Sequence, residues 1–226
     1  MGKGEIKAKA EVPSEGRTKD VPTQIKDPDL VKERRQQIVN ASVQLFIKNG
    51  FHKTTTRQIA SATGFSIGSL YEYVASKEDV LYLVCDSIHA EVEESVGKIL
   101  SRETLGRRAL AEIIREFLLI CDRLSDHVLL MYQVTQFLPP QWKKKVLENE
   151  IRITGIFVDV LSRINSPDDL PQFDKKTIDL VAHNISVLGQ SWAFRRWYYT
   201  RHYTINEFIN FQTKTIFGLL EEKKKI

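Results

Sequence analysis

The chain has no apolar run approaching the ~20 residues that a membrane-spanning helix requires, and no apolar stretch of the secretory-signal type stands near its start. It has two cysteines, Cys85 and Cys121, so there is no disulfide framework and a reducing cytoplasm is the expected setting. Signatures of common enzyme machinery are missing too: there is no GxSxG elbow, HExxH pair, Walker A loop or GxGxxG turn. No segment reads convincingly as a strand, and no internal repeat is visible. The five histidines, His52, His89, His127, His183 and His202, are scattered. Cys85, His89 and Glu93 fall at i, i+4 and i+8, a spacing able to hold a metal. A lone stripe of three is a weak signal, so Cys85 is read as core and His89 as a satisfied polar residue or part of a ligand cavity. No metal, cofactor or catalytic residue is assigned.

What remains is an ordinary globular composition, 42% hydrophobic and 27% charged. The net charge of +4 permits nucleic-acid binding without suggesting it. The informative stretch is Thr54 to Lys77, TTTRQIASATGFSIGSLYEYVASK. Thr54, Thr55 and Thr56 offer hydroxyls that cap a helix. Ile59, Ala60 and Ala62 recur among polar residues up to Thr63, and Gly64 stands where a helix ends with φ > 0. Ser66 can cap a second short helix, Ile67 to Val74, in which Leu70 and Val74 face a core. Two short helices around a glycine turn make a helix-turn-helix. The other face of the second helix carries Ser66, Ile67, Gly68, Ser69, Tyr71 and Tyr73, not the Lys and Glu of a solvated surface. Small residues allow close approach to a groove, and tyrosines can donate to phosphates or pack on a thymine methyl.

The run Gly64 to Leu81, GFSIGSLYEYVASKEDVL, resembles the DNA-binding signature of the TetR family of bacterial transcriptional regulators, and its LYxYxxSKEDxL ending is the most specific part. The close match covers about Arg34 to Leu83; beyond it only helical layout and length are similar. The resemblance implies that Ser66, Ile67, Gly68 and Tyr71 approach base edges in the major groove. It places Thr55, Thr56, Arg57, Ser69, Tyr73 and Lys77 near phosphates. Two placements compete: Tyr71 or Tyr73 as domain-core aromatics, and Ile67 as a buried residue. Glu72 points away or reads a cytosine amino group.

Around this signature, residues 1–28 are low in hydrophobicity, with basic and acidic side chains nearly balanced, and read as a flexible arm. Asp29 to Lys48 carries Ile38, Ala41, Leu45 and Phe46 at helical spacing and completes a three-helix domain over 29–75. Ser76 to Asp79 resembles a capping box opening a long rigid helix to about Leu100. The remainder of 76–226 alternates helical patterns and breakers, with loop residues at 165–173, a cap at Asp174, a second capping box at Thr204–Glu207 and lysines at 223–225. The expected fold is all-α with about nine helices: an N-terminal helix-turn-helix domain and a C-terminal helical domain for effector binding and dimerisation.

In TetR-like proteins the last two long helices pair with their mates in a four-helix dimer interface. Here Ile178, Val181, Ile185, Leu188 and Trp192 form one stripe, and Phe208, Phe211, Thr215 with Ile216 or Leu219 the other. Such regulators hold a small effector in the C-terminal helices, and Phe117, Cys121, Met131, Phe157 and Trp192 are candidate walls, each also plausible as plain core. The run Gly189 to Trp197 with Tyr203-Thr204 is similar to TetR-type regulators of lipid or acyl-CoA metabolism, which makes Arg195, with Arg196, a candidate for an anionic head group. The resulting expectation is a cytoplasmic, homodimeric, sequence-specific repressor, not an enzyme. Its partners are a pseudo-palindromic operator and an apolar or acyl-CoA-like effector, with no membrane. The alternatives are a non-sequence-specific, nucleoid-type DNA-binding protein or an all-α enzyme.

Overall fold

The computed structural model describes residues 21–102, 106–164 and 173–221. Most of the expected arm (1–20), most of the expected loop (165–172) and the lysine end (223–225) lie outside the described residues. Ten α-helices and one 3-10 turn, with no strand among the described residues, make up the fold.

The reading head consists of α1 (Pro28–Asn49), α2 (Thr56–Thr63) and α3 (Ile67–Tyr73). Asp27 caps α1 by accepting from the Asp29 and Leu30 amides, with Pro28 following where its missing N–H costs nothing. Thr55 and Gln58 form a full capping box on α2, and Gly64 ends that helix at φ 74°, the left-handed geometry the sequence pattern predicts. Ile38, Phe46, Ile59, Ala60, Leu70 and Val74 are buried, as expected, and fix the two short helices against α1.

Residues 21–27, expected to belong to the arm, are docked. Val21 is 1% exposed, and the Thr23 hydroxyl and Gln24 amide both donate to the Glu72 carbonyl, at 2.7 and 3.3 Å. Arg35 lies beneath them, 2% exposed, and its guanidinium donates to the carbonyls of Val21 (2.6 Å) and Tyr73 (3.0 and 3.1 Å). The last carbonyls of any helix lack intrahelical partners. In α3 those of Glu72 and Tyr73 find theirs in this buried arginine and the segment it holds.

The Asp79 amide bonds the Ser76 hydroxyl at the start of α4 (Lys77–Arg102), while the Asp79 carboxylate reaches the Ala75 amide. α4 packs against α1, α5 (Arg107–Arg123), α6 (Ser125–Val134) and α7 (Pro140–Ile164). α4 and α7 run side by side in the same direction and are bonded along their length. The Trp142 indole N–H donates to Asp79 at 2.8 Å and its ring stacks on Tyr82 at 4.2 Å. Asn149 donates to Asp86 at 3.0 Å, His89 meets Glu150 at 2.7 Å, and Arg152 pairs with Glu93 at 3.9 Å. Of Cys85, His89 and Glu93, the spacing weighed for a metal, the last two therefore take separate partners on α7. The Cys85 thiol is pushed up to about 12, chiefly by burial.

The sequence pattern predicts one helix from Asp174 to about Tyr199; the structure breaks it. α8 (Lys175–Phe194), capped by Asp174 as expected, ends at Arg195, and α9 (Arg196–His202) sets off anew. The break lets Tyr199 fold back to stack on Trp192, rings 5.4 Å apart and 3° from parallel. It also brings Arg196 onto the carbonyl and carboxylate of Asp122 at the electronegative end of α5. α10 (Ile205–Glu221) opens with the expected Thr204–Glu207 box.

Candidate DNA-binding surface and effector cavity

On the reading head, Ser66, Ile67, Gly68 and Tyr71 are exposed on one side of α3. Ile67 is 43% and Tyr71 47% exposed, which decides against core positions for both. The Tyr71 phenol lies 3.2 Å from the Thr56 hydroxyl, so the first turn of α2 orients it. Ser66 also caps α3, through the Ser69 amide at 3.0 Å. Thr55 and Arg57 are exposed beside them, with Thr56 and Ser69 half-buried, so the N-termini of α2 and α3 present hydroxyls and amides on a common surface.

Two residues expected near phosphates have other places. Tyr73 is 7% exposed and its ring packs toward Phe65 at 6.1 Å, the core placement weighed from the sequence. The Lys77 ammonium donates to the carbonyls of Phe51 (2.8 Å), His52 (3.3 Å) and Thr54 (2.9 Å) and sits 4.4 Å over the Phe51 ring. It fastens the α1–α2 loop, which leads into Thr55 to Arg57 at the start of α2. An open groove of about 850 Å³ flanks this surface between α1 and the α2–α3 turn, lined by Arg34, Gln37, Asn40, Ser66, Ser69 and Glu72 among others.

The second candidate site is a small, partly open cavity of about 30 Å³ among α4, α5, α6, α7 and α8. Phe117, Cys121 and Met131 line it, as expected, and Phe157 backs it, edge-on to Phe117 at 5.3 Å. Trp192 and Arg195 do not line it. Trp192 is 1% exposed in a separate cluster with Tyr199 and Phe208, and its indole N–H bonds Asp122 at 2.8 Å. Arg195 is exposed and lies over Trp197 and Tyr198 at 5.3 and 5.7 Å. Arg196 is bound to Asp122, so neither arginine reaches the cavity as an anion receptor.

The cavity has instead a polar wall that the sequence reading missed apart from His89. Glu150 accepts from His89 Nε2 at 2.7 Å and from the Tyr132 hydroxyl at 2.7 Å, and Gln190 bonds the Tyr132 oxygen. Burial pushes Glu150 upward, but the bond and charge of His89 and the bond from Tyr132 outweigh it and leave the carboxyl below its ordinary range. The Tyr132 hydroxyl is driven well above the usual tyrosine range by burial and then by the Glu150 charge. The four residues come from α4, α6, α7 and α8, so no local spacing betrays them.

The expected dimer stripes divide differently. Ile178, Val181, Ile185 and Trp192 of α8, with Phe208 and Ile216 of α10, are buried in the chain's own core. The apolar residues left outside are Leu180, Val187 and Phe194 on α8 and Phe211 and Leu219 on α10, all at least 43% exposed.

A helix-turn-helix with an exposed, small-residue helix, joined rigidly to an all-α domain with an internal cavity, is the architecture of a DNA-binding regulator. Residues 38–82 match the family model described as bacterial regulatory proteins, tetR family. The chain is 23% identical over 185 residues to the HTH-type transcriptional regulator HbdR of Aromatoleum sp. (strain CIB), covering 82% of this chain and 80% of that one. A tetR-family regulatory protein from Rhodococcus RHA1 has the same fold, with a TM-score of 0.70 at 19% identity over 83% of this chain and 97% of the other. So does AibR, solved with isovaleryl coenzyme A and operator DNA, with a TM-score of 0.66 at 16% identity over 80% and 97%. Residues 38–82 thus carry the DNA-binding domain of the TetR family of bacterial regulatory proteins, and the chain as a whole is similar to regulators of that family in sequence and fold.

Proposed function

We propose that this regulator is a dimeric repressor, acting in the cytoplasm on a pseudo-palindromic operator and released by a small molecule held in the C-terminal domain. The exposure of Ile67 and Tyr71 on a firmly supported α3 carries the reading. Ser66, Ile67, Gly68 and Tyr71 approach base edges, while Thr55, Thr56, Arg57 and Ser69 meet phosphates, with Lys77 holding their loop. Two such heads on a two-fold axis fit half-sites about one helical turn, ~34–36 Å, apart. Selection from a random duplex pool, followed by titration at several salt concentrations, tests this. A palindrome bound far above random DNA is the expected result; uniform binding of all duplexes would instead favour a nucleoid-type protein. Tyr71→Ala is expected to weaken the selected operator by about 1–3 kcal/mol and to alter base preference at its contact. Unaltered affinity removes Tyr71 from the interface.

The second copy docks on α8 and α10 through Leu180, Val187, Phe194, Phe211 and Leu219, which no described element of the same chain covers to burial. Charge on each of the two helices, Val187→Glu with Phe211→Glu, is expected to give a helical monomer by sedimentation that binds operator at least about tenfold more weakly, since burial of unpaired charge opposes association. A dimer that persists moves the interface elsewhere. Binding of an effector among α4 to α8 opposes operator binding reciprocally. AibR, similar in fold, was solved with isovaleryl coenzyme A, but among the described residues of this chain no lysine or arginine lines the cavity.

A further inference from the structure

We infer that the effector cavity selects a neutral apolar molecule carrying a hydroxyl group, an alcohol or phenol, through His89, in preference to a carboxylate or an ammonium. The inference rests on the reading of this cavity as the effector site.

His89 is 2% exposed and lines the cavity, and its Nδ1 is buried without a hydrogen-bond partner. An orphaned buried ring nitrogen is unfavourable, so a partner for Nδ1 is the polar contact that a ligand gains most from making. The bond from Nε2 to Glu150 requires a proton on Nε2 when the carboxylate is ionised. Neutral His89 then presents a bare lone pair at Nδ1, and protonated His89 presents an N–H. A hydroxyl satisfies either form, because it both donates and accepts. A carboxylate satisfies only the protonated form and an ammonium only the neutral one.

Charge narrows the choice further. The side chain of Glu150 stands 28% exposed in the cavity wall with its carboxyl held in the ionised form, and among the described residues no lysine or arginine lines the cavity to offset a second anion; any charge on His89 is already matched by Glu150. An ammonium would gain the attraction of Glu150, yet both oxygens of that carboxylate already accept bonds, from His89 and Tyr132. The ammonium would also leave its hydration shell among Ile88, Val92, Phe117 and Ile153, a transfer that penalises a charge far more than a hydroxyl. The free space holds about one small polar group, so the apolar body of the ligand enters by displacing side chains. Met131, unbranched and rotatable, is the adaptable part of the wall.

The test uses the full-length protein and four probes of one shape: benzyl alcohol, benzoate, benzylammonium and toluene. Affinities are measured by titration calorimetry, and the imidazole nitrogens of His89 are followed by nitrogen-15 NMR. Benzyl alcohol is expected to bind at least tenfold more tightly than the other three and to shift the His89 Nδ1 resonance. His89→Gln, which retains an amide donor toward Glu150, is expected to abolish that preference while toluene binding is unchanged. If benzoate or benzylammonium binds as tightly as the alcohol, or toluene does, the hydroxyl assignment is overturned and the cavity remains an effector site. If none of the four shifts His89 or binds, the cavity reading itself falls and the inference with it.

Discussion

Arg35→Ala is expected to lower the stability of the protein by about 2–4 kcal/mol, the largest loss from any single polar side chain in the reading head. A buried guanidinium hydrogen-bonded to carbonyls is replaced by nothing, and the desolvation of each stranded acceptor is unrecovered. The stranded groups are the carbonyls of Val21 and Tyr73. The first belongs to the docked segment and the second ends α3, so one substitution loosens both. Arg35→Lys is expected to recover little, because a single ammonium cannot span the two carbonyls as the planar fork does. Urea denaturation measures the stability, and hydrogen exchange locates the loss at residues 21–25 and 72–74. Burial lowers the guanidinium pKa, with Asp79 opposing that shift, yet arginine stays charged throughout the accessible pH range. A stability change below about 0.5 kcal/mol would show that neither carbonyl depends on Arg35.

Gly189→Val is expected to be comparably damaging at the other end of the molecule. A Cβ at Gly189 would overlap the Cys121 sulfur and stand 3.0 and 3.1 Å from two carbons of the Phe117 ring. Glycine normally weakens a helix interior by about 1 kcal/mol against alanine. Here its lack of a side chain is what lets α8 lie against α5. Overpacking costs about 1–3 kcal/mol and exceeds the gain in helix propensity. Phe117 and Cys121 also line the cavity, so probe binding should fall together with stability. Adding Phe117→Leu is expected to restore part of the loss, a non-additivity proper to residues in contact. Thermal melts of the two single variants and the double variant decide it; full additivity would place the strain elsewhere.

The contrast between these two positions reflects what a sequence exposes. A threonine cap at 54–56, Thr204 with Glu207, Asp174 and Gly64 were legible because each device closes within three or four residues, whereas the Gln58 half of the box on α2 was not read. The two sides of α3 were legible for a related reason: Leu70 and Val74 turn inward at helical spacing and leave Ser66, Ile67, Gly68 and Tyr71 outside. Tyr73 and Lys77 were misplaced because their partners, Phe65 and the carbonyls of residues 51–54, depend on how α1 meets the turn. On α8 periodicity revealed one apolar stripe without saying whether the chain itself or a second copy covers it. Ile178, Val181, Ile185 and Trp192 turned inward, leaving Leu180, Val187 and Phe194 outside. The polar wall was hidden most completely, since His89 and Glu150 are 61 residues apart and Gln190 is 58 from Tyr132. Trp192 was assigned to the cavity as an apolar wall and Arg195 by resemblance; Trp192 packs instead with Tyr199 and Phe208, and Arg195 lies exposed over Trp197 and Tyr198.

The bonds between α4 and α7 have a mechanical consequence. They are rungs between two parallel rails: Asp79–Trp142 at the end beside the reading head, His89–Glu150 at the cavity. At 1.5 Å per residue, these two rungs stand about 15 Å apart along α4. Sliding one rail past the other breaks every rung at once, whereas tilting the pair as a single piece breaks none. The stiff mode is thus translation and the soft mode is rotation. In the proposed release by a small molecule, a wedge driven in beside His89 would reach the reading head as a change of angle, with the ladder itself intact.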